Sequence, residues 1–102
     1  MNQYTLIEGE FTPEEAREML MNLVCEKIRF HEVQILAKQE RKEDGFARHE
    51  ERIADLKTTR SKLKELIKLS EQSGQSLKLS AVLAIQTLSK EQPPLDQLNL
   101  EG

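Results

Sequence analysis

The chain has 102 residues, of which 37% are hydrophobic and 32% are charged, and its formal net charge is −3. This length suits one domain with a modest core. The small negative charge gives no general attraction to nucleic acid or to an anionic membrane, and no run of roughly 18 apolar residues indicates a transmembrane helix. The single cysteine excludes an intrachain disulfide, and residues 1–10 lack the pattern of a signal peptide, so we expect a cytoplasmic protein without a membrane partner.

Residues 4–8 predict a short strand, in which Tyr4 and Leu6 share one face, and Gly9 ends it. A helix start follows directly. Thr12 is a good N-cap, Pro13 suits the first helical position, and Glu15 completes a capping box. With no Gly or Pro inside it, the first helix is predicted to span 13–43.

This first helix has more apolar residues than one face can hold. Its core-facing stripe consists of Ala16, Leu20, Val24, Ile28 and Ile35. Five further residues lie outside that stripe, namely Met19, Met21, Leu23, Cys25 and Phe30. We therefore expect the first half of the helix to be covered from more than one direction.

A turn at Asp44-Gly45 is predicted to lead into a second helix over 46–73, with Gly74 as the left-handed residue that ends it. The second helix has one apolar stripe, made of Phe46, Ile53, Leu56, Leu63 and Ile67. Two helices with a short connection predict an antiparallel αα-hairpin. If the two helices meet level at Gly45, this register keeps His31 and His49 apart.

The alternation of residues over 77–88 predicts a second strand, because Leu77, Leu79, Ala81, Leu83 and Ile85 recur with a period of two. The competing interpretation is a third helix capped by Ser80, which would give an all-α three-helix bundle. The leading prediction is an α+β fold of order β-α-α-β forming a single domain over 1–88. Pro93-Pro94 indicates an extended or disordered tail over 89–102.

Surplus apolar residues at one end of the hairpin predict the function. Leu66 and Leu69 leave the second helix's stripe near its end, which lies beside the start of the first helix. We expect a small structural or protein-interaction module that forms a homodimer there; a different protein is the other candidate partner. The residues predicted for self-association are Met19, Met21, Leu23, Cys25, Leu66, Leu69, Val82 and Ala84.

A basic ridge on the second helix supports an alternative from another class. Lys57, Arg60, Lys64 and Lys68 step by three or four residues, as phosphate contacts of a nucleic-acid-associated protein would. The acidic residues of 1–26 and the lack of interleaved aromatic residues favour ion pairing within the protein or dimer instead. We therefore do not expect a nucleic-acid partner.

No motif indicates chemistry. Neither His31 nor His49 has a His, Cys or carboxylate one helical turn away, so no metal pair is predicted. The acidic pairs lie on exposed helix faces by pattern, and Cys25 has only Arg29 one turn along, so it is predicted to be a half-buried, inert thiol. We expect no catalytic activity, no cofactor and no small-molecule substrate.

Overall fold

The computed structural model describes residues 2–89, which form four elements: β1 (Asn2–Phe11), α1 (Pro13–Glu40), α2 (Ala47–Ser73) and β2 (Leu77–Ile85). The strands pair antiparallel in a two-stranded sheet. The predicted β-α-α-β order is confirmed, and a strand rather than a third helix follows Gly74. The predicted tail, 89–102, lies outside the described residues apart from Ser89.

The described chain divides into two compact units. The sheet unit contains residues 2–9 and 79–89, and the hairpin unit contains residues 10–78. In the hairpin unit α1 packs against α2. The buried hydrophobic residues are Ala16, Val24, Ile28 and Ile67. They belong to the two predicted stripes, so amphipathic spacing explains which faces meet.

The start of α1 is fixed by local chemistry. The Thr12 amide donates to Glu15 Oε1 at 2.9 Å, and the Glu15 amide donates to Thr12 Oγ1 at 3.1 Å. These two bonds form the predicted capping box, with Pro13 at the first helical position. The backbone N–H groups of Thr12 and Glu15, which would otherwise lack a partner at the start of the helix, are thus satisfied by side chains of the same four-residue segment.

The end of α1 comes at Glu40, three residues before the predicted Glu43. The Glu43 amide donates to the Lys38 carbonyl at 2.8 Å, and the Lys42 amide donates to the Gln39 carbonyl at 3.0 Å. This is the bond pattern of a Schellman motif, which requires a left-handed residue. That residue is Lys42, with φ of 57°. The end of α2 uses the same pattern with Gly74 at φ of 70°, as predicted.

We expect Lys42→Gly to raise the free energy of unfolding by roughly 0.5–1 kcal/mol. The left-handed conformation costs a residue with a Cβ about 1–2 kcal/mol, and the extra freedom of glycine in the unfolded chain offsets part of that gain. Urea denaturation measures the difference. Lys38→Gly, in the last turn of α1, is the control and should lower the free energy of unfolding. If Lys42→Gly also lowered it, the left-handed conformation of Lys42 would not be a source of strain.

Candidate functional site

Two histidines form a pair between the helices. His31 Nδ1 on α1 lies 2.8 Å from His49 Nδ1 on α2. The His31 side chain has 0% solvent exposure, and its ring also contacts Phe30 edge-on at 5.1 Å between centroids. An imidazole nitrogen either donates or accepts, so one Nδ1 carries the proton and the other supplies the lone pair. The pair therefore depends on at least one histidine being neutral.

This contact corrects the predicted register, which kept the two histidines apart. The prediction placed a tight turn at Asp44-Gly45, with both helices ending level beside it. The structure instead has a six-residue connection, Arg41–Phe46, between Glu40 and Ala47. The departure is local. Arg17 still meets Glu71, close to the predicted register, whereas His31 meets His49 nearer the connection.

The charged residues one turn from the pair are both cations. Lys27 precedes His31 by four residues on α1, and Arg52 follows His49 by three residues on α2. The half-buried Arg52 lies 3.8 Å from the exposed carboxylate of Asp55. Neither helix therefore has a carboxylate three or four residues from either histidine.

The predicted thiol environment differs in the structure. Cys25 is exposed rather than half-buried. Its Sγ accepts from Arg60 Nη1 at 3.9 Å, so the neighbouring guanidinium comes from α2 and not from Arg29. This contact shows which side of α2 adjoins Cys25, and it places Arg60 between the helices rather than on an outer ridge.

The hairpin thus has two flanks of different chemistry. At 100° per residue, Met21 lies beside Cys25 on the flank that Arg60 contacts, whereas Met19 and Leu23 lie on the opposite flank of α1. On α2, Leu66 and Leu69 lie on the side away from Arg60. We call Met19, Leu23, Phe30 and Leu66 the apolar flank; Leu23, Phe30 and Leu66 are exposed and Met19 is half-buried.

The residues predicted for self-association therefore do not form one continuous surface. Met19, Leu23 and Leu66 share the apolar flank, with Leu69 beyond them, while Met21 and Cys25 lie on the other flank. Val82 and Ala84 lie in β2, where both are exposed. All eight residues are exposed or half-buried, so none of them is fully buried in the core of a single copy.

The predicted ridge lies on the flank that carries Cys25. Lys57, Lys64 and Lys68 are exposed, and Arg60 is half-buried. Among the described residues, the ion pairs are Arg17–Glu71, Arg41–Glu43 and Arg52–Asp55, and none uses a ridge lysine. The expected intramolecular pairing of these lysines is thus not seen within residues 2–89. The nucleic-acid interface stays a prediction.

The connection between the helices is charged and locally ordered. Arg41 donates from Nε and Nη2 to the two carboxylate oxygens of Glu43, at 2.9 and 3.1 Å. This hydrogen bond lowers the pKa of the Glu43 carboxyl and raises the pKa of Arg41. Both side chains are exposed, so the pair shapes the connection without contributing much to stability.

An open depression of about 510 Å³ lies where α1 begins and α2 ends, lined by Thr12, Pro13, Glu14, Glu71, Gly74, Gln75 and Ser76. Its ionisable groups are two carboxylates. Within residues 2–89 no group of three His, Cys, Asp or Glu side chains could hold a metal ion. Neither described helix is long and apolar enough to cross a membrane.

Comparison with known proteins adds no assignment. No protein-family model matches the chain, and neither the curated proteins nor the solved structures include a match.

Proposed function

We propose that this protein is a small structural or protein-interaction module that works as a homodimer. One observation carries the proposal. Within residues 2–89 a single copy buries four hydrophobic residues, whereas eleven large hydrophobic side chains are exposed. Three of the exposed side chains, Leu23, Phe30 and Leu66, belong to the apolar flank, and neighbouring exposed apolar side chains are typical of an interaction site.

The energetics point the same way. Burying a large apolar side chain contributes about 1.5–3 kcal/mol, and a domain of this size has a net stability of only about 5–15 kcal/mol. Within residues 2–89, the large buried hydrophobic side chains of the core are Val24, Ile28 and Ile67. Covering the apolar flank and the strand residues would therefore add a large share of the stability of the fold.

A second copy is the simplest cover because a two-fold axis brings identical surfaces together. The four residues of the apolar flank are uncharged, and the charged residues beside Met19 and Phe30 are Glu15, Glu18, Glu26 and Arg29. A cytoplasmic setting agrees with the exposed, unpaired Cys25. A different protein that binds the same flank is the alternative occupant.

Solution mass tests the proposal. Sedimentation equilibrium over a wide concentration range should give twice the chain mass, and Leu66→Gln should shift the equilibrium towards monomer. Leu36→Gln is the matched control, because Leu36 is equally exposed but lies outside the apolar flank. A wild-type monomer that binds a hydrophobic dye would overturn the homodimer and favour a different partner.

A further inference from the structure

The sheet has two unpaired edges that differ in chemistry. Within the described residues it contains only β1 and β2, so each strand has a hydrogen-bonded neighbour on one side alone. The other side of each strand presents backbone N–H and C=O groups that can pair with a further strand. A two-stranded sheet is marginally stable in water, and three or more strands are needed for independent stability.

Charge protects one of these edges and leaves the other open. β1 carries Glu8 and Glu10, both exposed. Charged side chains on an edge strand discourage pairing with other chains. β2 has a single charged residue, Lys78, and from Leu79 to Ile85 it contains no charge and no proline. β1 is also uncharged over Asn2–Ile7, six residues against the seven of Leu79–Ile85, but it carries two charges where β2 carries one. β2 is therefore the edge that better favours an added strand.

The exposed side chains of β2 identify the same strand. Val82, Leu83 and Ile85 are all exposed and large. Because successive residues point to opposite faces, Val82 and Leu83 expose apolar surface on both faces of the sheet. Both the backbone edge and the side chains of β2 are thus available to a partner.

We propose that β2 pairs antiparallel with β2 of a second copy about a two-fold axis at Ala81, which makes a four-stranded sheet β1-β2-β2-β1. This inference rests on the proposed homodimer and names the strand that joins it. Full overlap of the nine-residue strand puts Ala81 opposite itself.

Sequence symmetry favours that register. On one face it sets Leu77 opposite Ile85 and Leu79 opposite Leu83 of the second copy, which are apolar pairs. On the other face Ser80 lies opposite Val82. Lys78 lies opposite Ala84, so the only charge of the strand does not meet its own copy. Opposed like charges destabilise a sheet, and this register avoids them.

Disulfide formation tests the register, in the full chain with Cys25→Ser as the background. Residues directly opposite in an antiparallel pair have Cα atoms about 4.5–5.5 Å apart, within the range that a disulfide spans. Ala81→Cys should therefore give a covalent dimer on mild oxidation. Leu77→Cys alone should not, because its two copies would lie about 27 Å apart at 3.4 Å per residue.

A mixture provides a second test that is independent of position 81. Leu77→Cys chains mixed with Ile85→Cys chains should form a mixed covalent dimer, which keeps the register testable if Ala81→Cys folds poorly. Sedimentation of the unoxidised background protein separates the two proposals. If the protein is a dimer but neither cross-link forms, the proposed β2 pairing is wrong and the proposed homodimer stands. If the protein is a monomer, both proposals are wrong. Cross-linking of Leu77→Cys alone would mean parallel strands and would also overturn the register.

Discussion

Replacing Ile67 with alanine is expected to lower the free energy of unfolding by about 2–5 kcal/mol. Ile67 has 0% exposure and is the one buried hydrophobic residue that α2 contributes to the core. The substitution removes buried methyl groups and leaves a cavity between two helices that have few other core residues. Against a stability of about 5–15 kcal/mol, this loss brings the hairpin close to unfolding.

Urea denaturation followed by circular dichroism measures this effect. All samples need the same protein concentration, because self-association makes stability concentration-dependent. Leu36→Ala is the matched control: Leu36 is 56% exposed, so its truncation should change the free energy of unfolding by no more than about 0.5 kcal/mol. Equal losses in both variants would contradict the core assigned to Ile67.

The second large effect is a loss of stability when one member of the histidine pair is truncated. The His31 side chain has 0% exposure, and its Nδ1 lies 2.8 Å from His49 Nδ1. His49→Ala removes the imidazole that this buried nitrogen contacts, and losing a hydrogen-bond partner of a buried polar group costs about 1–3 kcal/mol. We therefore expect His49→Ala to lower the free energy of unfolding by about that amount.

Urea denaturation at one pH and one protein concentration tests this prediction. The double variant His31→Leu/His49→Leu is the matched control. It should lose less stability than His49→Ala, because it replaces both polar partners by apolar side chains between the helices. A His49→Ala variant as stable as the wild-type protein would contradict a stabilising contact between His31 and His49.

Features decided within a few residues could be predicted from the sequence. Thr12, Pro13 and Glu15 define the start of α1 through bonds among themselves, and Gly74 ends α2 because it accepts a positive φ without strain. The alternation of residues also predicted a strand over 77–88, and the structure has one over Leu77–Ile85. A period of two can be read from the sequence without knowing what the strand packs against.

Features that depend on packing between the helices could not be predicted from the sequence. Lys42 takes a conformation that its residue type disfavours, so no local pattern indicates that α1 ends at Glu40. The contact between His31 and His49 depends on how the two helices pack near the connection. The apolar stripes alone do not determine which polar side chains meet there.

The order of the elements also has a consequence for folding kinetics. β1 and β2 lie at opposite ends of the described chain, so their pairing alone would close a loop of more than sixty residues. Thr12 and Gly74 line one depression in the hairpin unit, so a formed hairpin already holds both attachment points close together. We therefore expect the helices, whose internal hydrogen bonds are local, to form and pack first and strand pairing to follow. Before β2 pairs with it, β1 is an unpaired strand. The charges of Glu8 and Glu10 then disfavour pairing of β1 with strands of other chains, which would lead to aggregation.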